Sequence, residues 1–131
     1  VGSEYAFAQK IPYAAIQNQR GELVEPTAET ISAAASGVIP ADTRTSITNA
    51  DAAGAYPIAT FTWMIIYQEQ NYSDRSKEQA IATLDLLQYI LSDEAQKITS
   101  EVHYAPLPTK AKELSMKNLK TVTYDGMPIL Q

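Results

Sequence analysis

The stretch Tyr56-Pro57-Ile58-Ala59-Thr60-Phe61-Thr62-Trp63-Met64-Ile65-Ile66-Tyr67 constrains this chain more than any other, because it is β-branched, aromatic and apolar on both alternating faces. One alternate set is Ile58, Thr60, Thr62, Met64 and Ile66; the other is Ala59, Phe61, Trp63, Ile65 and Tyr67. A strand with one wet face alternates apolar and polar residues, so this run reads as an interior strand with a layer on each side. Amphipathic helical patterns follow it at once. The combination predicts an α/β fold, a mixed sheet flanked by helices.

A globular chain of 131 residues buries about two-thirds of its unfolded surface, so a real core is within reach. A hydrophobic content of 45% with 19% charged residues is that of an ordinary globular domain. No apolar run approaches the roughly 20 residues that cross a bilayer. The formal net charge of −5 argues against a non-specific nucleic-acid binder, since phosphate backbones are held by clustered Lys and Arg. Lys110, Lys112, Lys117 and Lys120 are loosely grouped and read as a solvated helix face. The absence of cysteine excludes disulfides, thiolate catalysis and cysteine-ligated metals. The chain opens on Val1 without the charged and apolar regions of a leader, which leads us to expect that something upstream has been removed, a signal peptide alone, a purification tag or a much longer N-terminal portion.

Along the chain, Ser3 to Lys10 is a short helix that Pro12 stops. Tyr13 to Gln17, the turn Asn18-Gln19-Arg20-Gly21 and Leu23-Val24 read as a β-hairpin. Thr27 caps the next helix, with Glu29 in its first turn, Ile31, Ala34 and Ala35 inward and Gly37 as its stop. Val38 to Ala55 is loop-like, with one short strand expected at Thr45 to Thr48. After the apolar run, Ser76 and Gln79 form a capping box that opens a long helix with Ala80, Ile81, Leu84, Leu87 and Leu91 on one stripe. Ser92 caps a further helix carrying Ala95, Ile98 and Val102. Tyr104-Ala105-Pro106-Leu107-Pro108 is held extended by its prolines, and a last helix starts near Pro108 and buries Ala111 and Leu114. Tyr124 and the Asp125-Gly126 turn form a tail that needs docking to be ordered.

No group of residues makes a reactive centre. His103 is the sole histidine, and Glu101 two residues away is badly spaced for a shared metal, so His103 reads as structural. No G-x-S-x-G turn singles out a serine for a Ser-His-Asp triad. Asp93-Glu94 and Glu29 suit helix N-termini without acid-base chemistry. The glycines at 2, 21, 37, 54 and 126 are too dispersed for a phosphate loop. Tyr56, Phe61, Trp63 and Tyr67 lie on the all-apolar run and read as core rather than as a stacking platform.

The order of segments carries more. Glu4-Tyr5-Ala6-Phe7-Ala8 is followed by Pro12-Tyr13-Ala14-Ala15-Ile16-Gln17-Asn18 with Gly21, then by Pro26-Thr27 and the Ala-rich helix to Gly37. Ser46-Ile47-Thr48-Asn49 leads to Ala55-Tyr56-Pro57-Ile58 and Thr60-Phe61-Thr62-Trp63, and the helix through Leu91, Gln96-Lys97 and Tyr104 to Pro108 come last. In this collinear order the chain resembles the C-terminal portion of the periplasmic phosphate-binding proteins of bacterial phosphate ABC transporters.

The resemblance implies part of a two-lobed, type II periplasmic-binding-protein-like fold with its N-terminal portion missing. Residues 1–55 then belong to the second lobe, and 56–131 return across the inter-lobe crossover as the C-terminal part of the first. The family holds phosphate with helix N-termini, Ser and Thr hydroxyls, an Arg and an Asp, the physics of anion capture by oriented donors. Its Ser-Gly-Thr segment has no counterpart at Ala35-Ser36-Gly37-Val38, which lacks the Thr and a nearby Arg, and Arg20 and Arg44 read as surface or structural. No phosphate ligand is therefore identified in this chain, and the ligands are expected upstream of Val1. The implied function is that of a non-enzymatic phosphate receptor, without cofactor or metal, serving a membrane ABC permease from a periplasmic or lipid-anchored extracytoplasmic position. The alternative is an interaction module that completes its fold with another chain or by self-association or domain swapping of the fragment.

Overall fold

The computed structural model describes residues 2–130. Helix α1 (Ser3–Ala8) ends before Pro12, and strands β1 (Ile16–Gln17) and β2 (Leu23–Val24) pair antiparallel with Ile16 opposite Val24. Gly21 closes their turn at φ 79°, a backbone region that costs glycine nothing. Helix α2 (Ala28–Ala34) starts at a capping box in which Thr27 and Thr30, rather than a carboxylate, satisfy each other's backbone N–H groups. It stops two residues before Gly37 is reached: the N–H of Ala35 bonds Ser32 O and that of Ser36 bonds Ala33 O, tightening the last turn without a left-handed glycine.

Helix α3 (Lys77–Leu91) opens at the Ser76–Gln79 capping box, and Ser92 both ends it and caps α4 (Asp93–Glu101). Ser92 sits in extended geometry, so the two helices meet at a corner. Pro108 precedes α5 (Thr109–Leu119), and a hairpin of β3 (Thr123–Tyr124) and β4 (Met127–Pro128) follows, with Asp125 and Gly126 at φ 51° and 72° in its turn. Helix α3 packs against both α4 and α5.

The apolar run departs from its expected form. Among the described residues 56–67 join no ladder, and the expected mixed sheet is replaced by two separate two-stranded antiparallel sheets and one parallel bridge, Glu69 with Thr123. The expected strand at 45–48 also lacks a ladder; it is tied to the run by Asn49 N–H to Pro57 O at 2.8 Å and Thr48 Oγ1 to Ala59 O at 3.1 Å. An extended segment becomes a strand only where neighbours supply donors and acceptors, and these residues supply none to either edge of the run's centre.

Two buried clusters lie at the two ends of that run. Ala34, Ala35, Ile47, Ala55 and Ala59 form the first, with Phe61 against it; Leu84, Leu119 and Val122 form the second, with Ile66, Ile129 and Leu130 against it. The first is built almost wholly of alanines, which lets backbone segments approach closely but buries little area per residue. The second is a helix-helix core with Leu84 fully buried. On the α3 stripe Ala80 and Leu84 are buried as expected, whereas Ile81 is partly open. On α4 the inward residue is Gln96, and the expected Ile98 and Val102 face outward at 46% and 52% exposure.

Candidate functional site

The most prominent surface is the centre of the apolar run. Trp63, Met64 and Ile65 are exposed at 44%, 61% and 94%, and Tyr67 lies open beside them. Sequence places these side chains in a core; within residues 2–130 only Ala59, Phe61 and Ile66 of the run reach one. Trp63 donates its Nε1–H to Thr43 O at 3.3 Å and meets the Phe61 ring edge-on at 6.0 Å, so it is positioned without being covered. Large apolar side chains left open in this way are the raw material of interfaces. Tyr67 continues into a second aromatic pair with Tyr72, centroids 4.8 Å apart, and the Arg75 guanidinium lies 5.6 Å from the Tyr72 ring centre.

The three arginines are separated and each is engaged locally. Arg20 Nε meets Asp51 Oδ1 at 2.8 Å, and Arg44 Nη2 meets Asp42 Oδ2 at 2.8 Å, which holds the Asp42 carboxyl below its ordinary range. Arg75 donates to Tyr72 Oη, to the Gln79 carbonyl and to Thr83 Oγ1. Helix N-termini are occupied in the same way: Thr27, Ser76 and Ser92 accept the first-turn N–H groups of α2, α3 and α4, and each of these helices has an acidic residue in its first turn. The donors and dipoles at these three helix starts are thus already spent on side chains of this chain, whereas the start of α5 at Pro108 has no side-chain cap and no acidic residue in its first turn.

His103 ends α4 in the left-handed region at φ 65° and packs against Phe7 with ring centres 5.9 Å apart, while the neighbouring Glu4 carboxylate raises the Tyr104 hydroxyl. Of the grouped lysines, Lys112 pairs with Asp93, whose carboxyl it holds low. No cluster of three or more His, Asp or Glu among the described residues could hold a metal. No helix of the described residues is long and apolar enough to cross a membrane.

Three polar residues whose bonding roles the sequence reading did not assign organise the loops. Asn18, buried in the hairpin turn, accepts the N–H groups of Arg20 and Glu22 at 3.0 Å each and donates to Glu22 Oε2 and to Ala55 O at 2.7 and 3.2 Å. Glu22 also accepts Gly54 N–H at 2.8 Å, and the Asn18 amide with that N–H holds its carboxyl low. Gln96 bridges Ile90 O and Leu107 N–H at 2.9 and 2.7 Å. Glu69 gathers donors from Asn71, Thr123, Asp125 and Gly126. Only Asn18, next to a recognisable turn, carries a local sign of its role.

No family model matches the chain. It is similar to the phosphate-binding protein PstS of Methanocaldococcus jannaschii, with 32% identity over 127 residues, 90% of this chain and 33% of that protein. It is also similar to the phosphate-binding proteins PstS of two Xylella fastidiosa strains, with 39% and 38% identity over 107 residues, 79% of this chain and 28% of each relative. The chain spans about a third of the length of these curated relatives. Likeness at this level covers most of the chain, and the chain belongs to the family of the phosphate-binding protein PstS.

Proposed function

We propose that this chain is the C-terminal section of a receptor that binds inorganic phosphate for uptake through a membrane ABC permease, working outside the cytoplasmic membrane in the periplasm or on a lipid anchor, and that it is not an enzyme. The observation that carries the reading is the sequence likeness over 90% of this chain to a phosphate-binding protein three times its length. Two features of the molecule support it. The exposed centre of the apolar run has the composition of an interior strand and lacks flanking strands, as expected of a strand whose sheet is built by other residues. The alanine cluster, drawn from residues 34–55 with Ala59 and Phe61 joining it from the run, and the Leu84 cluster, drawn wholly from residues after 55, support a reading with residues 1–55 in the second lobe of a type II fold and residues 56–131 in the first, joined at a crossover.

On this reading the phosphate ligands lie upstream of Val1. The local engagement of Arg20, Arg44 and Arg75 supports that assignment. The intact protein should bind labelled phosphate one to one, and the 131-residue chain alone should not bind it measurably. Tight stoichiometric binding by the chain alone would refute the placement of the ligands. Absence of binding by the intact protein would refute the function. The exposed run also supports a second reading, an interaction module that closes its fold on another chain or copy. Light scattering separates them: a monomeric intact protein with phosphate affinity favours the receptor, and a stable dimer without affinity favours the module.

A further inference from the structure

Glu69 stands where the chain leaving the apolar run meets the C-terminal hairpin. Its Oε1 accepts the backbone N–H of Asn71 at 2.8 Å and that of Asp125 at 3.1 Å. Its Oε2 accepts the N–H of Gly126 at 3.0 Å and the Thr123 hydroxyl at 2.9 Å. Asp125 and Gly126 both lie in the left-handed region, at φ 51° and 72°. Their successive N–H groups converge on one carboxylate, as backbone amides do in anion-binding concavities.

We infer that the β3–β4 turn, with Asn71 N–H and Thr123 Oγ1, is an anion-binding nest for a small carboxylate, and that the chain supplies its own ligand, the Glu69 side chain, as the clasp that docks the C-terminal hairpin. The contacts around the clasp depend on its register. Gln70 N–H bonds Thr123 O and Thr123 N–H bonds Gln68 O, both at 2.8 Å, and Gln68 Nε2 reaches Thr121 O at 3.3 Å. These bonds align 68–70 parallel to 121–123, and two residues at most separate the pairing from the exposed apolar run. The hairpin in turn lays Ile129 and Leu130 over Leu84 and Leu119. A surface carboxylate without such a role is satisfied by water; this one takes four protein donors and joins two segments more than fifty residues apart. The other charged group at the nest, Asp125, has its Oδ1 engaged by Asn71 Nδ2.

The test is hydrogen exchange, read by mass spectrometry on peptides of the intact protein that contains these residues. In Glu69→Ala the peptides covering 68–72 and 121–127 should exchange about tenfold faster, with 109–119 little changed. Acetate corresponds to the atoms that this substitution deletes. Added sodium acetate should therefore restore protection in Glu69→Ala, whereas sodium chloride at the same ionic strength should not, and neither salt should alter the wild type at these peptides. Glu69→Gln, which keeps the volume and one acceptor oxygen, should give an intermediate acceleration at the same peptides and carries the test should Glu69→Ala fail to fold. Unchanged exchange in both variants would overturn the inference, as would acetate that protects no better than chloride in a folded Glu69→Ala.

Discussion

The Gln96 side-chain oxygen accepts the backbone N–H of Leu107 at 2.7 Å, while its amide donates to Ile90 O at 2.9 Å. One buried side chain thus pins the proline-held segment 104–108 to the corner between α3 and α4. Both bonds are part-buried, and neither backbone partner finds a substitute in a shorter side chain. Gln96→Ala should therefore lower stability by about 1–3 kcal/mol, measured as a shift of the urea midpoint at constant m-value.

The two cores should respond oppositely to volume. Leu84 is fully buried in the second cluster, so Leu84→Ala should cost about 2–5 kcal/mol through lost transfer energy and an unfilled cavity. Ala55 is fully buried in the first among other small side chains, and Ala55→Leu should cost about 1–3 kcal/mol by overpacking. A matched pair of denaturation curves for each variant checks both values.

Acid should loosen the C-terminal hairpin. The donors on Glu69, Asn71 N–H foremost and then Gly126 N–H, lower its carboxyl from 4.5 to about 2. A carboxyl depressed in the folded state contributes stability that is complete above its unfolded value and fades as the pH falls toward the folded one. The stability difference between wild type and Glu69→Gln should therefore be constant above about pH 5 and shrink steadily from pH 4.5 toward 2. The Glu22 and Asp93 carboxyls, also held low, give the same sign in both proteins and cancel in the difference; Asp125 at the nest is common to both. A difference that grows on acidification would contradict the clasp.

Ile65 separates the chain from the proposed longer receptor. It is 94% exposed here, so Ile65→Asp should change the stability of the 131-residue chain by no more than about 0.5 kcal/mol. In the intact protein, where the proposed sheet covers this position, the same substitution buries an unpaired charge and should cost more than about 3 kcal/mol. Equal, small effects in both polypeptides would show that the run stays open in the receptor.

Local chemistry made much of this protein readable from its sequence. The caps at Thr27, Ser76 and Ser92, the turn ending at Gly21, the proline-held segment before α5 and the inward Ala80, Leu84 and Ala111 all follow from short-range hydrogen bonding and helical spacing. The family was legible by another route, the resemblance carried by the order of short segments, and the likeness to PstS over most of the chain agrees with it. Residues 56–67 were legible as apolar on both faces, but a strand is a property of pairs: its state depends on donors and layers brought by other residues, and only the tertiary structure decided that Trp63, Met64 and Ile65 stand open within this chain. The polar fastenings were settled there too. Glu69, Gln96 and Asn18 bind partners that lie up to fifty-seven positions away, and no local pattern specifies which distant N–H a carboxylate or amide will meet. Sequence fixes propensity and periodicity because both act over a few residues; docking and burial depend on which distant segments fold against one another.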